Sequence, residues 1–287
     1  MRAAALETAR EQHVTEEFSL RCWGARGSTP TPGSSTLRYG GETSCFEIRA
    51  GDALVLVDCG SGARNLGMEL CRNKTRSFDL LFTHTHLDHI CGLPFFKPAY
   101  DPSFEVTAWA GHFQDETNLV DIVSRIMSPP IFPVAAKTLK AVEFKSFSAG
   151  ENLPRSDDLV IRTTRLNHPG GACGYRFEFH GKSLCIITDH EHGDPEIDAA
   201  LPDFVRDTDI MIYDAMFTDD EYQTYKGWGH STWQKAVQLA RDGNVKTPVL
   251  FHHDPRRSDD ELDEIGLAAQ NAYPGTLVAS EGMVLRP

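Results

Sequence analysis

Three features common in other proteins are missing from this 287-residue sequence: a long apolar run, a CxxC pair and a surplus of basic residues. No apolar stretch approaches the roughly 20 residues that a membrane-spanning helix needs, so no membrane association is expected. The N-terminal stretch MRAAALETAREQHVTEEF carries charges throughout, unlike the apolar core of a signal peptide. The seven cysteines are scattered and odd in number, which predicts reduced thiols in a cytoplasmic protein.

The charge balance limits the expected partners. The chain has 28 basic and 41 acidic residues, and its formal net charge is −13. Surfaces that bind long nucleic acids are normally basic, so a small substrate is favoured over a long RNA or DNA. A local basic patch at Arg256 and Arg257 is compatible with this balance, and a homodimer is left open.

The apolar pattern predicts an α+β fold in which strands come first and helices follow, twice over. Strands are expected in FSLRCWG, CFEIRAG and ALVLVDCG, and again in LVIRTTRL, CGYRFEFHG and SLCIITD. The segment TLVASEGMVL is predicted to be one last strand. Two β-rich halves with helices outside indicate a four-layer αββα sandwich rather than a doubly wound sheet. We expect residues 1–17 to form an extension and residues 18–287 to form a single domain.

The stretch FDLLFTHTHLDHICG crowds three histidines and an aspartate behind an apolar strand. Side chains alternate along a strand, so His84 and His86 point the same way. A helix that begins near Leu87 then lets Asp88 and His89 face the same space. Imidazoles and a carboxylate are ligands for zinc and similar metals, so the H-x-H-x-D-H pattern predicts a metal site.

Other strand ends carry further candidate ligands. His168 follows one strand, Asp189 ends another, and the pair His252 and His253 ends a third. Each is a weak signal alone, because an aspartate at a strand end is often only a turn residue. Together with the H-x-H-x-D-H stretch, they supply enough ligands for two metals.

The sequence resembles the metallo-β-lactamase-fold hydrolases, from about Leu20 to the C-terminus. Within them it is similar to the branch of tRNA 3′-processing endonucleases and class II-type cyclic-nucleotide phosphodiesterases. The resemblance covers the H-x-H-x-D-H motif and the second-half ligands, but the segment from Lys97 to Gly150 departs from the endonucleases. It has no basic arm of their kind.

The resemblance implies two divalent ions, with zinc expected first and manganese or iron as alternatives. One ion would be held by His84, His86 and His168. The other would be held by Asp88, His89 and His252, and Asp189 would be shared between the two. His252 is preferred to His253 because the related endonucleases end the corresponding strand in their ligand. Asp58, in LVLVDCGSG, matches the Asp-x-Gly strand end of the superfamily and is expected to orient a ligand imidazole.

Two catalytic residues are expected beside the ions. His230, in GWGHSTW, resembles the H-S-T motif whose histidine donates a proton, with simple helix capping by Ser231 or Thr232 as the alternative. Asp214 would orient His230, and Asp88 is counted as catalytic as well as a ligand.

The remaining candidates contact substrate or solvent. Ser28 and Thr29, in a loop rich in Gly, Ser and Thr, offer donors to phosphate oxygens, although a plain surface connection is as compatible with the sequence. Phe132, in IMSPPIFPVAA, belongs to a predicted apolar lid or to ordinary core packing. His190 and His192 are expected in a solvated loop.

These features favour a di-zinc phosphodiesterase that cleaves a small diester by attack of a metal-bound hydroxide. A cyclic nucleotide is the preferred substrate. The alternatives are an RNA 3′-end endonuclease, a lactonase or thioesterase on the same metals, and a metal-bearing sensor domain with low turnover. A basic surface for RNA would favour the endonuclease. A lactonase would leave His230 without a leaving group to protonate.

Overall fold

The computed structural model describes residues 17–113, 117–153 and 158–287, and within them the chain forms two β-sheets. The predicted N-terminal extension therefore lies outside the described residues, apart from Glu17. The strands are β1 (Phe18–Gly24), β2 (Cys45–Ala50), β3 (Ala53–Val57), β4 (Ser77–Phe82), β5 (Glu105–Ala110), β6 (Val142–Ser146), β7 (Leu159–Leu166), β8 (Ala172–Phe179), β9 (Lys182–Ile187), β10 (Ile210–Asp214), β11 (Thr247–Phe251), β12 (Leu277–Val278) and β13 (Val284–Leu285).

The helices lie on the outer faces of the sheets. They are α1 (Ala63–Leu70), α2 (Leu87–Ile90), α3 (Leu119–Ile126), α4 (Pro195–Phe204), α5 (Asp219–Tyr225), α6 (Trp233–Asp242) and α7 (Asp259–Ala272). In the described part of the chain, none of them is long and apolar enough to cross a membrane.

The central strands are buried on both faces because apolar residues fill both sets of alternating positions. In β3, Val55 and Val57 face the core between the two sheets, whereas Leu54 and Leu56 face a second core that also contains α1 residues. In the other sheet, β10 divides its residues in the same way between the central core and a third core with α6 residues. Three apolar layers separate four layers of structure, so the predicted αββα sandwich is confirmed.

The strand order brings chemically important strand ends to one edge. The first sheet runs β13-β1-β2-β3-β4-β5-β6, and the second runs β12-β11-β10-β9-β8-β7. Strands β3 to β6 are mutually parallel, and so are β9 to β12. The carboxyl ends of parallel strands meet at the same edge of a sheet, where ligand sites are common in such folds.

The prediction of a single last strand is wrong. Strand β12 pairs with β11 in the second sheet, whereas β13 pairs with β1 in the first. Between them the chain crosses from one sheet to the other through a turn at Gly282, whose φ is +81° and whose N–H donates to the Cys22 carbonyl. The left-handed backbone at this glycine ends the extended run that the apolar pattern indicates.

Candidate metal centre

Three strand ends place polar side chains at the shared edge through an uncommon backbone conformation. Asp58 follows β3, Asp189 lies just beyond β9, and His252 follows β11. Their φ angles are +61°, +56° and +61°, in the left-handed region that non-glycine residues rarely adopt. Such residues cost about 1–3 kcal/mol each and cluster at functional sites. The left-handed backbone at these three positions ends the extended conformation of each strand and sets the direction of the side chain that follows it.

The first group of candidate ligands consists of His84, His86 and His168, whose ligand atoms lie within 4.8 Å of one another. The Nε2 atom of His168 is 2.9 Å from Nδ1 of His86. Its other ring nitrogen, Nδ1, lies 2.8 Å from the Gly229 carbonyl oxygen. Because a carbonyl only accepts, Nδ1 of His168 carries the proton and Nε2 presents a lone pair to the group.

The second group consists of Asp88, His89, Asp189 and His252. The Nε2 atom of His89 is 3.1 Å from Asp189 Oδ2, and Nε2 of His252 is 3.1 Å from Asp88 Oδ2. The other oxygen of Asp189 lies 3.8 Å from His84 Nε2, in the first group. Asp189 therefore reaches both groups, as a shared carboxylate must.

The site combines an ionised carboxylate with imidazoles whose pKa values are shifted in opposite directions. Burial lowers the pKa of His84 far below its ordinary value and that of His168 to about 4. Burial alone would raise the pKa of Asp189, but the surrounding histidines, His252 first, hold it well below its usual range. Burial alone would also lower the pKa of His89, yet the neighbouring carboxylates, led by Asp189, raise it. Negative charge is thus concentrated around His89 Nε2.

These residues fit divalent metal ions. The Nε2 atom of His84 is buried and has no hydrogen-bond partner, which is costly for a polar atom unless something else satisfies it. The Nε2 atom of His89 lies between the carboxylates of Asp88 and Asp189, at 3.2 Å and 3.1 Å. Both lie among carboxylate and imidazole groups, the donor set of zinc and its neighbours in the first transition row. A cation would satisfy both nitrogens and offset the carboxylate charge.

The neighbouring residues His252 and His253 have different surroundings. His252 joins the second ligand group, whereas Nε2 of His253 donates to the Ala279 carbonyl at 2.8 Å. Burial lowers the pKa of His253 to about 3, so this histidine is a neutral core residue. The structure places the two neighbours on opposite sides of the strand end, in the arrangement expected for His252 as the ligand.

His230 lies beside the second group and is paired with Asp214. The distance from His230 Nδ1 to Asp214 Oδ2 is 2.8 Å, and to Asp189 Oδ1 it is 3.8 Å. Burial alone would lower the pKa of His230, but the adjacent Asp214 carboxylate raises it to about 9. Thr232, one of the two capping candidates, does cap α6, since its side chain accepts the Lys235 N–H, but His230 is buried beside the ligands rather than exposed.

The three residues expected to contact substrate are not members of the two ligand groups. Ser28 is exposed, and its backbone N–H donates to Asp88 Oδ2 at 2.8 Å, so this N–H supports a candidate ligand. Thr29 is exposed, and half-buried Phe132 packs edge-on against Phe95 at 5.5 Å. Contact of Ser28, Thr29 and Phe132 with a substrate stays a prediction.

The solvated loop predicted for His190 and His192 is wrong. His190 is buried, and its ring lies 3.3 Å from an Asp198 carboxylate oxygen. His192 is half-buried, with Nδ1 2.8 Å from Ser231 Oγ. Helix α4 and the loop before α6 cover this segment, a packing of distant elements that local polarity does not indicate.

Glu191, which is not among the predicted site residues, is a buried carboxylate that organises the loop before His230. Its Oε1 atom accepts the Gly227 N–H at 2.7 Å, and Oε2 accepts the Gly229 N–H at 2.7 Å. Gly229 in turn accepts the hydrogen bond from His168. An isolated glutamate after a strand has no distinctive pattern, so only its position next to Asp189 offered a signal.

Comparison with known proteins agrees with this geometry. The family described as "Beta-lactamase superfamily domain" matches residues 54–253. Ribonuclease Z of Haloarcula marismortui is 26% identical over 92% of this chain and 94% of its own, and ribonuclease Z of a Bradyrhizobium species is 25% identical over 82% and 90%.

Solved structures share the fold. The metallo-beta-lactamase fold protein YhfI from Bacillus subtilis has a TM-score of 0.71 at 18% identity, covering 94% of this chain and 99% of its own. The short form of human tRNase Z has a TM-score of 0.65 at 20% identity, covering 93% and 98%. With the strand-end ligand groups, these matches show that the chain belongs to the beta-lactamase superfamily and is a metal-dependent hydrolase.

Proposed function

We propose that this chain is an endonuclease that hydrolyses a phosphodiester bond at the 3′ end of an RNA. It would use two divalent metal ions, with zinc as the preferred metal. The observation that carries the proposal is the His230–Asp214 pair beside the shared ligand Asp189. Full-length similarity to ribonuclease Z enzymes supports RNA as the substrate.

Each of the two ligand groups would bind one metal ion. His84, His86 and His168 would hold one ion, and Asp88, His89 and His252 the other, with Asp189 shared. When bound, such ions neutralise phosphoryl oxygens and lower the pKa of a water molecule. The chain contributes a fixed arrangement of ligands on strand ends, so little reorganisation is needed when substrate arrives.

His230 supplies a proton to the departing oxygen. Its Nδ1 faces a carboxylate of Asp214, which only accepts, so Nδ1 carries a proton and Nε2 is the free donor. The raised pKa of His230 keeps Nε2 protonated at neutral pH. As the P–O bond breaks, this proton moves to the ribose oxygen. A thioesterase offers no comparable use for this pair, because a thiolate leaves without a proton. A lactonase would also have to protonate an alkoxide, and the similarity to ribonuclease Z enzymes favours RNA over a lactone.

The substrate class departs from the first choice of the sequence analysis. The relatives favour the RNA endonuclease, there given as an alternative, over a cyclic nucleotide. A small phosphodiester remains the second candidate because the net charge of −13 opposes a long polyanion. RNA binding would then depend on a local contact surface rather than on overall charge.

A direct comparison of substrates tests the proposal. Zinc-loaded protein is incubated with a precursor tRNA that has a 3′ trailer, and separately with cyclic mononucleotides, and Asp189→Ala serves as the inactive control. We expect a single internal cut in the RNA and little turnover of the cyclic nucleotides. Efficient hydrolysis of a cyclic nucleotide with intact RNA would reject the endonuclease and favour the second candidate.

A reducing, cytoplasmic setting is part of the same proposal. All seven cysteines are unpaired, and burial raises the pKa of Cys22 and Cys173 to about 12. Buried, un-ionised thiols are poor nucleophiles and do not need an oxidising compartment. Full activity in excess thiol reductant is the expected result, and a requirement for oxidation would contradict it.

A further inference from the structure

An exposed tryptophan lies at the tip of the loop that reaches the candidate metal centre. Trp228 is 63% exposed, although it is a large apolar side chain. It directly precedes Gly229, whose carbonyl accepts the hydrogen bond from His168, and it lies two residues before His230. Single exposed apolar side chains are common, so the position of Trp228 beside the candidate active site matters more than its exposure.

The loop holds Trp228 in place through polar contacts rather than apolar packing. Glu191 ties down the N–H groups on both sides of the tryptophan, at Gly227 and Gly229. These glycines have φ angles of +92° and +90°, and a Cβ on Gly229 would lie 2.3 Å from His168 Nδ1. The tip is therefore fixed against the candidate ligand His168, and its one large side chain points away from the core.

A row of aromatic rings connects Trp228 to His230. The Trp228 ring meets Tyr225 edge-on at 5.1 Å, and Tyr225 stacks on Phe217 at 4.7 Å with an interplanar angle of 9°. Phe217 lies 6.1 Å from His230 in a T-shaped contact. Trp228 is the outermost ring of this row, and no further ring of the described residues is stacked on it.

Positive charge flanks the tryptophan. Lys226 is exposed two positions before it. The guanidinium of Arg256 lies 4.9 Å from the Tyr225 ring centroid and donates to the Tyr225 hydroxyl. It is also paired with the Asp254 carboxylate at 2.5 Å, so much of its charge is balanced within the protein. An open aromatic face with an exposed lysine two residues away matches a nucleotide, whose base stacks while its phosphate attracts the cation.

We propose that Trp228 forms a stacking site for an unpaired nucleobase next to the phosphodiester that is cleaved. This inference rests on the proposed function, because it assigns the base beside the scissile bond to a named residue. Stacking tolerates any base, since every base has a flat π face, so the site would bind without reading sequence. It also gives an acidic protein a local hold on RNA that does not depend on net charge.

Binding of two small probes to the zinc-loaded protein isolates the stacking contribution. Adenosine 5′-monophosphate carries a base, whereas ribose 5-phosphate has the same phosphate without one. Trp228→Ala should weaken binding of the nucleotide about 5- to 150-fold, the range for one stacked base, and leave binding of ribose 5-phosphate within about twofold. Trp228→Phe should retain most of the affinity. Leu267→Ala removes a side chain of similar exposure on α7 and should change neither.

Cleavage assays separate this inference from the proposed function. On RNA with an abasic residue beside the cleaved bond, Trp228→Ala should match the wild type, whereas on intact RNA it should have a lower kcat/KM. Equal losses on both probes, or no loss, would overturn the stacking site even if the RNA is cut. A changed sedimentation coefficient in Trp228→Ala would assign the ring to contact with a second copy and also overturn it. Failure of the wild type to cut RNA rejects the endonuclease, while the two-probe result still decides the stacking site.

Discussion

The Nδ1 atom of His89 lies 2.7 Å from Oδ2 of Asp58, and both side chains are fully buried. The same carboxylate accepts hydrogen bonds from Ser44 Oγ and from the N–H and hydroxyl of Thr83. Because a carboxylate only accepts, Nδ1 of His89 is protonated, and Nε2 is the ring nitrogen that faces Asp88 and Asp189 and would bind a metal ion. Asp58 thus sets the tautomer and the direction of a candidate metal ligand.

Asp58→Asn should weaken metal binding about 10- to 100-fold, the usual effect of losing a partner behind a ligand. Asparagine keeps the size of the side chain but loses the negative charge that holds the His89 proton. Competition with a chromogenic chelator measures the affinity. Asp52→Asn makes the same chemical change at an exposed turn and should keep wild-type affinity. Unchanged affinity in Asp58→Asn would mean that packing alone orients His89.

The wild-type chain should bind two metal ions, and His89→Ala and Asp189→Ala should each lose at least one. Asp189 is expected to matter more, because its oxygens reach both ligand groups. Elemental analysis of protein saturated with zinc measures the count. His180→Ala removes an exposed imidazole in the turn between β8 and β9, where it faces Asp158, and should keep both ions. At most one ion in the wild type would contradict the two-ion site.

His230→Ala should lose about 10²- to 10⁴-fold of the rate on RNA but keep most activity on bis(nitrophenyl) phosphate. A nitrophenolate leaves without a proton, whereas a ribose alkoxide needs one. Elemental analysis should find unchanged metal content. Equal losses on both substrates would make His230 a structural residue, and a loss of metal would make it a ligand, since it also lies near Asp189 and His252.

The same role predicts a pH dependence. The protonated form of His230 is the acid, and its pKa is raised, so the rate on RNA should be maintained through neutral pH and fall as the pH rises through that pKa. His230→Ala should lack this alkaline fall. A pH profile of kcat on both proteins tests the prediction, and an identical fall in both would assign it to another group.

Glu191→Gln should lower activity about tenfold or more and weaken metal binding at His168. The amide nitrogen of glutamine cannot accept the N–H of Gly227 or Gly229, so the loop loses one of its two anchors. Turnover and zinc affinity are measured beside thermal stability. Glu196→Gln, at an exposed position of α4, is the matched control. A drop in melting temperature with unchanged zinc affinity and turnover would make Glu191 only structural.

Local chemistry in the sequence was enough to predict much of the site. His84, His86, Asp88 and His89 lie within six positions, so the geometry of one strand end and one helical turn brings them together without help from the rest of the fold. The αββα arrangement was predictable for a similar reason, because apolar residues at both alternating positions require a strand to be covered on two faces.

Other features depend on contacts between residues far apart in the chain. Glu191 holds a loop more than 30 residues away, and no composition or spacing links the two. The strand predicted at the C-terminus divides because each half finds a different sheet to pair with. The sequence alone determined which residues were able to bind metal and which strand ends carry them. Only the tertiary structure decided which distant groups orient those ligands and that Trp228 stays exposed beside them, because hydrogen bonds and packing between separate elements form only once the two sheets close on each other.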